Sequence, residues 1–137
     1  MLDFFQQRFS YLHQLNLSWI SHLTKDDQDI PWDIKVVVSQ LINSQHIAVC
    51  GILDLEIESD LNDVLPEMHW DTLERDNYKQ WMNVFLQFNQ GLQDNVEWLA
   101  PLIFKSLHET AQYIGQLKLL VAQHGLETLD ETLIRVE

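Results

Sequence analysis

Leu107-His-Glu-Thr-Ala-Gln-Tyr-Ile-Gly-Gln-Leu-Lys-Leu-Leu120, running on through Val121-Ala-Gln-His-Gly125, is the stretch whose reading decides the fold. Upstream, Pro101 fits an α-helix only in its first turn, where a missing N–H is not needed. A helix that starts near Trp98 therefore carries the whole stretch. Gly125 suits the left-handed position that closes a helix. The residues after it, Leu126 to Glu137, read as a short docked tail.

Working back from that helix, three more helical segments account for most of the chain. The first spans about Leu2 to Leu23, with Phe5, Phe9, Leu12, Trp19, Ile20 and Leu23 near i, i+3, i+4 spacing. Thr24 to Trp32, polar and containing Pro31, is a connection, and Asp33 is placed to cap the second helix. That helix carries Ile34, Val37, Val38, Leu41, Gln45, Ala48 and Ile52 on one face. Its Val36-Val37-Val38 run also fits a strand, but the helical period continues to Leu53 and favours helix. Asp54 to Trp70 is acidic, contains Pro66 and reads as a long crossing loop. Asp71-Thr-Leu-Glu74 has capping-box spacing. It opens a third helix with Leu73, Tyr78, Trp81, Phe85, Phe88 and Leu92, ended by Gly91 and Asp94-Asn95. Four such helices bury their stripes most simply as an all-α bundle.

Composition narrows the function classes. The 137 residues suit one domain with a core of its own. Four Gly and three Pro favour long helices over short strands and turns. A formal charge of −13, with eight scattered Lys and Arg, opposes a nucleic-acid partner and an anionic membrane surface. No apolar run of about 18 residues is expected to cross a membrane. The N-terminus Met-Leu-Asp-Phe-Phe-Gln-Gln-Arg does not read as a signal peptide. Cys50, the sole cysteine, allows no intrachain disulfide and no Cys-based zinc site. A reduced, cytoplasmic setting is the expectation.

The opening stretch resembles the last helix of the DinB/YfiT-like superfamily, which usually reads Asn-His-x-x-Tyr/His-His-Arg-Gly-Gln before an apolar run and Gln-Ala-Gly. Gly115 and Gln116 match the Gly-Gln, and Leu117 to Leu120 the apolar run. In the second helix, Leu41-Ile-Asn-Ser-Gln-His-Ile47 resembles His-Ile-Leu-Asn-Ala-Gln-x-Ile-Trp, with Asn43 and Ser44 on its Asn-Ala. In the third, Asn77-Tyr-Lys-Gln-Trp-Met-Asn-Val-Phe85 resembles Asn-x-x-x-Trp-x-x-Phe/Leu. The resemblance covers nearly the whole chain. It implies an up-down-down-up four-helix bundle of the DinB/YfiT-like kind with a short C-terminal tail, residues 1–137 forming one domain. The family's second-helix Trp and Arg fall on Ala48 and Gly51. Two departures stand out: Gly91 to Glu97 leaves no room for the β-hairpin that members often carry, and, more important, all three of the family's metal-ligand positions differ.

For typical members the resemblance implies zinc or nickel held by three histidines, one from helix two and an i, i+4 pair from helix four. Residues four apart share a helix face, so two imidazoles can converge on one ion. Open coordination positions then activate water or a thiol. Here the three positions are Gln40, Glu109 and Tyr113. A neutral amide and a neutral phenol are poor ligands, which leaves Glu109 as the one good donor. The trio can instead form a polar pocket, or Glu109 can sit at the solvated edge of its helix with Tyr113 partly in the core.

The remaining candidates read as structure. His108 precedes Glu109 and points about 100° away from it. His46 lies well round helix two from Gln40, on the face read as solvated, and His13, His22, His69 and His124 read as isolated surface or interface residues. Cys50 reads as a small buried residue, not a nucleophile. Trp19 and Trp81 fall on core stripes, whereas Trp32, Trp70 and Trp98 are candidates for a pocket mouth or a dimer face. The Glu-x-x-His pairs of di-metal bundles, Gly-rich phosphate loops and Gly-x-Ser-x-Gly elbows are all missing. The leading expectation is a homodimeric, non-catalytic protein that binds a small molecule or a partner, without cofactor. The alternative is a divalent-metal-dependent thiol transferase or hydrolase using zinc or nickel on Glu109 with displaced histidines such as His46 or His108.

Overall fold

The computed structural model describes residues 2–89 and 97–134. Within them the chain forms α1 (Leu2–Thr24), α2 (Trp32–Leu53), α3 (Trp70–Asn89) and α4 (Leu99–Gln123), with 3₁₀ turns at Lys25–Asp27, Glu67–His69 and Glu131–Leu133. No strand occurs among the described residues, and the Val36-Val37-Val38 run is helical as expected. The expectations for Leu92, Gly91, Asp94-Asn95 and the missing hairpin fall largely on residues 90–96, outside the described residues.

Two helix starts differ from the sequence reading. Asp33 does not cap α2; Pro31, in an extended conformation, takes that place without a side-chain cap. Proline fixes its own φ near the extended value, so the helix opens directly at Trp32. Asp33 still serves the first turn, accepting from the Ile34 N–H at 2.9 Å and from His124 Nε2 at 2.8 Å. This ties the end of α4 to the start of α2 and holds the Asp33 carboxyl below its usual range, chiefly through the His124 hydrogen bond. The second difference is the Asp71–Glu74 capping box, which does not form. The 3₁₀ turn Glu67–His69 leads straight into α3 at Trp70, Asp71 pairs with Arg75 at 2.7 Å, and Glu74 turns inward.

The end of α4 matches expectation. Gly125 has φ +66°, Gly125 N–H donates to Ala122 O, and Leu126 N–H donates to Val121 O, each at 3.0 Å. That pair of bonds is a Schellman closure. It turns the tail back across the bundle, where His22 Nε2 meets Glu127 O at 2.6 Å and Lys118 meets Glu131 at 2.8 Å.

α2 packs along both α4 and α3, and α1 packs along α3. The buried side chains form two apolar layers. One holds Trp19 and Leu23 of α1, Ile34 and Leu41 of α2, Trp70 of α3 and Leu117 of α4. The other holds Phe5 and Phe9 of α1, Val49 and Cys50 of α2, Trp81 and Phe85 of α3, and Leu99 and Ile103 of α4. Trp70, which the sequence places in a loop or at a pocket mouth, is 0% exposed and donates its indole N–H to Leu65 O. By length and composition α2 is apolar enough to cross a membrane, contrary to the sequence expectation, and more than half of that window is buried inside the fold.

Between the two layers every helix contributes buried polar groups: His13 and Asn16 from α1, Asn43, Ser44 and Gln45 from α2, Glu74 and Asn77 from α3, Ser106 and Thr110 from α4. Glu74, 1% exposed, is the hub. Its Oε1 accepts from Asn16 Nδ2 at 2.7 Å and Gln45 Nε2 at 3.0 Å, and its Oε2 lies 2.8 Å from His13 Nδ1. One carboxyl on α3 thereby joins α1 and α2. His13 is thus a core residue and not the surface histidine expected; its ring stacks on Tyr78 at 4.1 Å, and Tyr78 OH meets Ser10 Oγ at 2.8 Å.

Removing one partner of a buried hydrogen-bonded pair leaves the others desolvated and unpaired, at a cost of about 3–5 kcal/mol. Glu74→Ala is expected to lose roughly that much stability in urea unfolding. Glu67→Ala, which breaks the half-exposed Lys35–Glu67 ion pair, is expected to lose less than about 1 kcal/mol. Equal small losses in both variants would show that the buried network does not hold the helices together.

Candidate functional site

The polar belt opens to the surface on two faces of α2. The first opening is a cleft of about 380 Å³ between α2 and α4, lined by Ser44, Ile47, Leu61, Ser106, Glu109 and Tyr113 among others. Glu109 and Tyr113, four residues apart on α4, both line it, but Gln40 is not among the lining residues. Gln40 donates instead to Asn62 Oδ1 at 3.1 Å, on the loop after α2. The trio singled out in the sequence is therefore split, two members in the cleft and one outside it.

The two that remain are chemically biased against a cation. Lys105 Nζ lies 3.8 Å from Glu109 Oε1, so a positive charge already stands beside the carboxylate. Burial raises the Tyr113 phenol above its ordinary range, and the Glu109 charge adds to the effect, which keeps the hydroxyl protonated. A zinc or nickel ion needs several good donors converging on one point. Gln40, Glu109 and Tyr113 do not fit that requirement. Among the described residues no group of three or more His, Cys, Asp or Glu is placed to hold a metal ion.

Sequence reasoning missed the residue that gives this cleft its character. Ser106 is 3% exposed and lines the cleft, so it brings a hydroxyl to the cleft wall from an otherwise buried position. A single helix-interior serine gives little signal in a sequence, because serine at such a site usually bonds its own backbone.

The second opening, about 670 Å³, lies between α2, the loop after it and α3. His46 lines it and is not on a free solvated face, as the sequence reading had it. Its Nε2 accepts from the Glu58 N–H at 3.0 Å, and Cys50 Sγ lies 3.5 Å from its Nδ1. That acceptor role places the proton of a neutral ring on Nδ1, the nitrogen nearer the sulfur. The ring therefore offers the thiol a donor and not a base, and the adjacency does not make a nucleophile pair. Burial pushes the Cys50 thiol up, and the Glu58 carboxylate pushes it further. A third hollow, lined by the exposed Trp32 and Met68 and by Lys35 and Glu67, lies beside the start of α2.

The direction of the Cys50 shift has a consequence for reactivity. The alkylation rate with iodoacetamide is expected to rise with pH through a midpoint above the free-thiol value of about 8.5. In Glu58→Gln the midpoint is expected to move down, since one repelling charge is gone. A midpoint below the free-thiol value would mean an activated thiolate and would contradict the tautomer assigned to His46.

No protein-family model matches the chain, and no curated protein or solved structure does either, so the chemistry of these clefts rests on their own geometry.

Proposed function

We propose that the chain is a DinB-like bundle whose metal site has degenerated into a polar cleft, and that it acts without catalysis by binding a small polar molecule there. The two apolar layers support the up-down-down-up course. Phe5 and Phe9 near the start of α1 and Leu99 and Ile103 near the start of α4 share one layer with Val49 and Cys50 near the end of α2 and Phe85 near the end of α3. In such a course α2 and α3 run in the same direction, so their connection must span the bundle. Residues 54–69 reach roughly 50 Å when extended, ample for a helix the length of α2, about 33 Å. Exposed Phe4, Leu86, Trp98 and Phe104 on helix ends that share this layer support a homodimer.

The single observation that carries the binding reading is Ser106, a buried serine on the wall of a cleft that also offers Glu109, Lys105 and Tyr113. A hydroxyl on the wall of an open cleft is met by water, and a ligand with its own donors and acceptors can take the place of that water. The alternative enzyme reading needs Glu109 and displaced histidines to meet, and His46 faces the other opening.

Ser106→Ala deletes only this hydroxyl. In the unliganded protein it is expected to leave stability unchanged or raise it by about 1 kcal/mol, since the hydroxyl it removes is met by water. In thermal shifts against free amino acids, short hydroxy acids and small amides, at least one compound is expected to raise the Tm of the parent protein and not of the variant. A clear loss of stability on Ser106→Ala, together with an unresponsive parent, would sink the reading.

A further inference from the structure

The loop that follows α2 is fastened back onto that helix unevenly. Asp54, at φ +56°, turns the chain out of α2. Residues 59–65 are then held by uncharged side chains of the helix. Asn43 Nδ2 donates to Leu61 O and Asp63 O, and Asn43 Oδ1 accepts from Ser59 Oγ at 2.7 Å. Gln40 donates to Asn62 Oδ1, and Ser39 Oγ accepts from the Leu65 N–H at 2.9 Å. Amides and aliphatic hydroxyls do not ionise near neutral pH, so these bonds hold across that range.

Residues 55–58 have less to hold them. Among the described residues this segment is tied to α2 at its two ends. Leu55 N–H donates to Cys50 O at 2.9 Å, and Glu58 N–H donates to His46 Nε2 at 3.0 Å. Apolar burial between those ends is partial, with Leu55 45% and Ile57 48% exposed. Segments with few buried apolar contacts lie at the low-stability end of a fold. Of the α2 side chains that fasten the loop, His46 alone is of a type that titrates between about pH 5 and 8.

The bond from Glu58 needs a ring nitrogen without a hydrogen. An uncharged imidazole has one; a protonated imidazole has none, because both its nitrogens are donors. Protonation therefore sets a donor against a donor. The titratable and charged groups that line the opening with this ring are Glu56, Glu58 and Asp63 of the loop, Cys50 of its own helix, and Asp76 and Lys79 of α3. A charged ring drawn to one of the carboxylates points an N–H at it and leaves the Glu58 N–H to water.

We propose that His46 is a proton-operated latch: uncharged, it pins residues 55–58 against the opening between α2 and α3, and charged, it releases them. Asn43 and Ser39 keep the rest of the loop in place in both states. Leu55, Glu56 and Glu58 all line the opening, so release in mild acid enlarges it. The latch is closed above the histidine range and open below it.

Backbone order parameters of the ¹⁵N-labelled full chain, taken at about pH 7.5 and about pH 5, test this. Glu58 is expected near the rigid-backbone value of about 0.85 at the higher pH and below about 0.6 at the lower. Leu61 and Leu65 should stay rigid at both. In His46→Gln, whose amide does not titrate, the response to acid is expected to vanish. His46→Leu has no acceptor, and Glu58 is expected to be loose already at the higher pH. An unchanged Glu58 order parameter in the parent would overturn the proposal. So would an acid response that survives in His46→Gln, a Glu58 that stays rigid in His46→Leu, or loosening that spreads equally through residues 59–65.

Discussion

One buried carboxyl organises this fold. Glu74 sits between the two apolar layers and takes hydrogen bonds from α1 and α2 while standing on α3. Apolar contact alone is non-directional and tolerates sliding of one helix along another. A carboxyl with partners at fixed distances does not, because a slip of one turn would strand it and its partners unsolvated. The network joins α1, α2 and α3 at the level where all four helices present buried polar groups.

The clefts follow from this belt. At Glu74 both carboxyl oxygens are met and the interior is closed, although Asn16 Oδ1 in the same network is buried with no partner among the described residues. Where Ser106 on one face of α2 and Asn77 on another line the openings, the belt reaches solvent. α2 is the common wall of both openings. Its apolar face is buried in the core, and its polar midsection, Asn43 to His46, is divided between the loop, the hub and the openings.

The helices were largely legible in the sequence because their apolar periods are long and their ends carry Pro31, Pro101 and Gly125. The polar interior was far less so. Glu74 lies three residues after Asp71, a spacing that favours a local cap, and the pull of three partners on other helices overrides it. His13 lies on α1 far from any acid in sequence, and its pairing with Glu74 is a property of tertiary packing. The family resemblance drew attention to Glu109 and Tyr113, which do line a cleft, and to Gln40, which does not. Trp70 was misplaced because the start of α3 is set by the 3₁₀ turn before it, and not by the polar residues that follow.

The central claim is the proposal that this helical protein works without a bound metal ion at Glu109 and Tyr113. Titration of zinc and nickel into protein purified without a histidine tag, followed by calorimetry, tests it most directly. The account predicts no stoichiometric binding and no change in melting temperature, whether metal or chelator is added. One tightly bound equivalent, lost on Glu109→Ala, would contradict it.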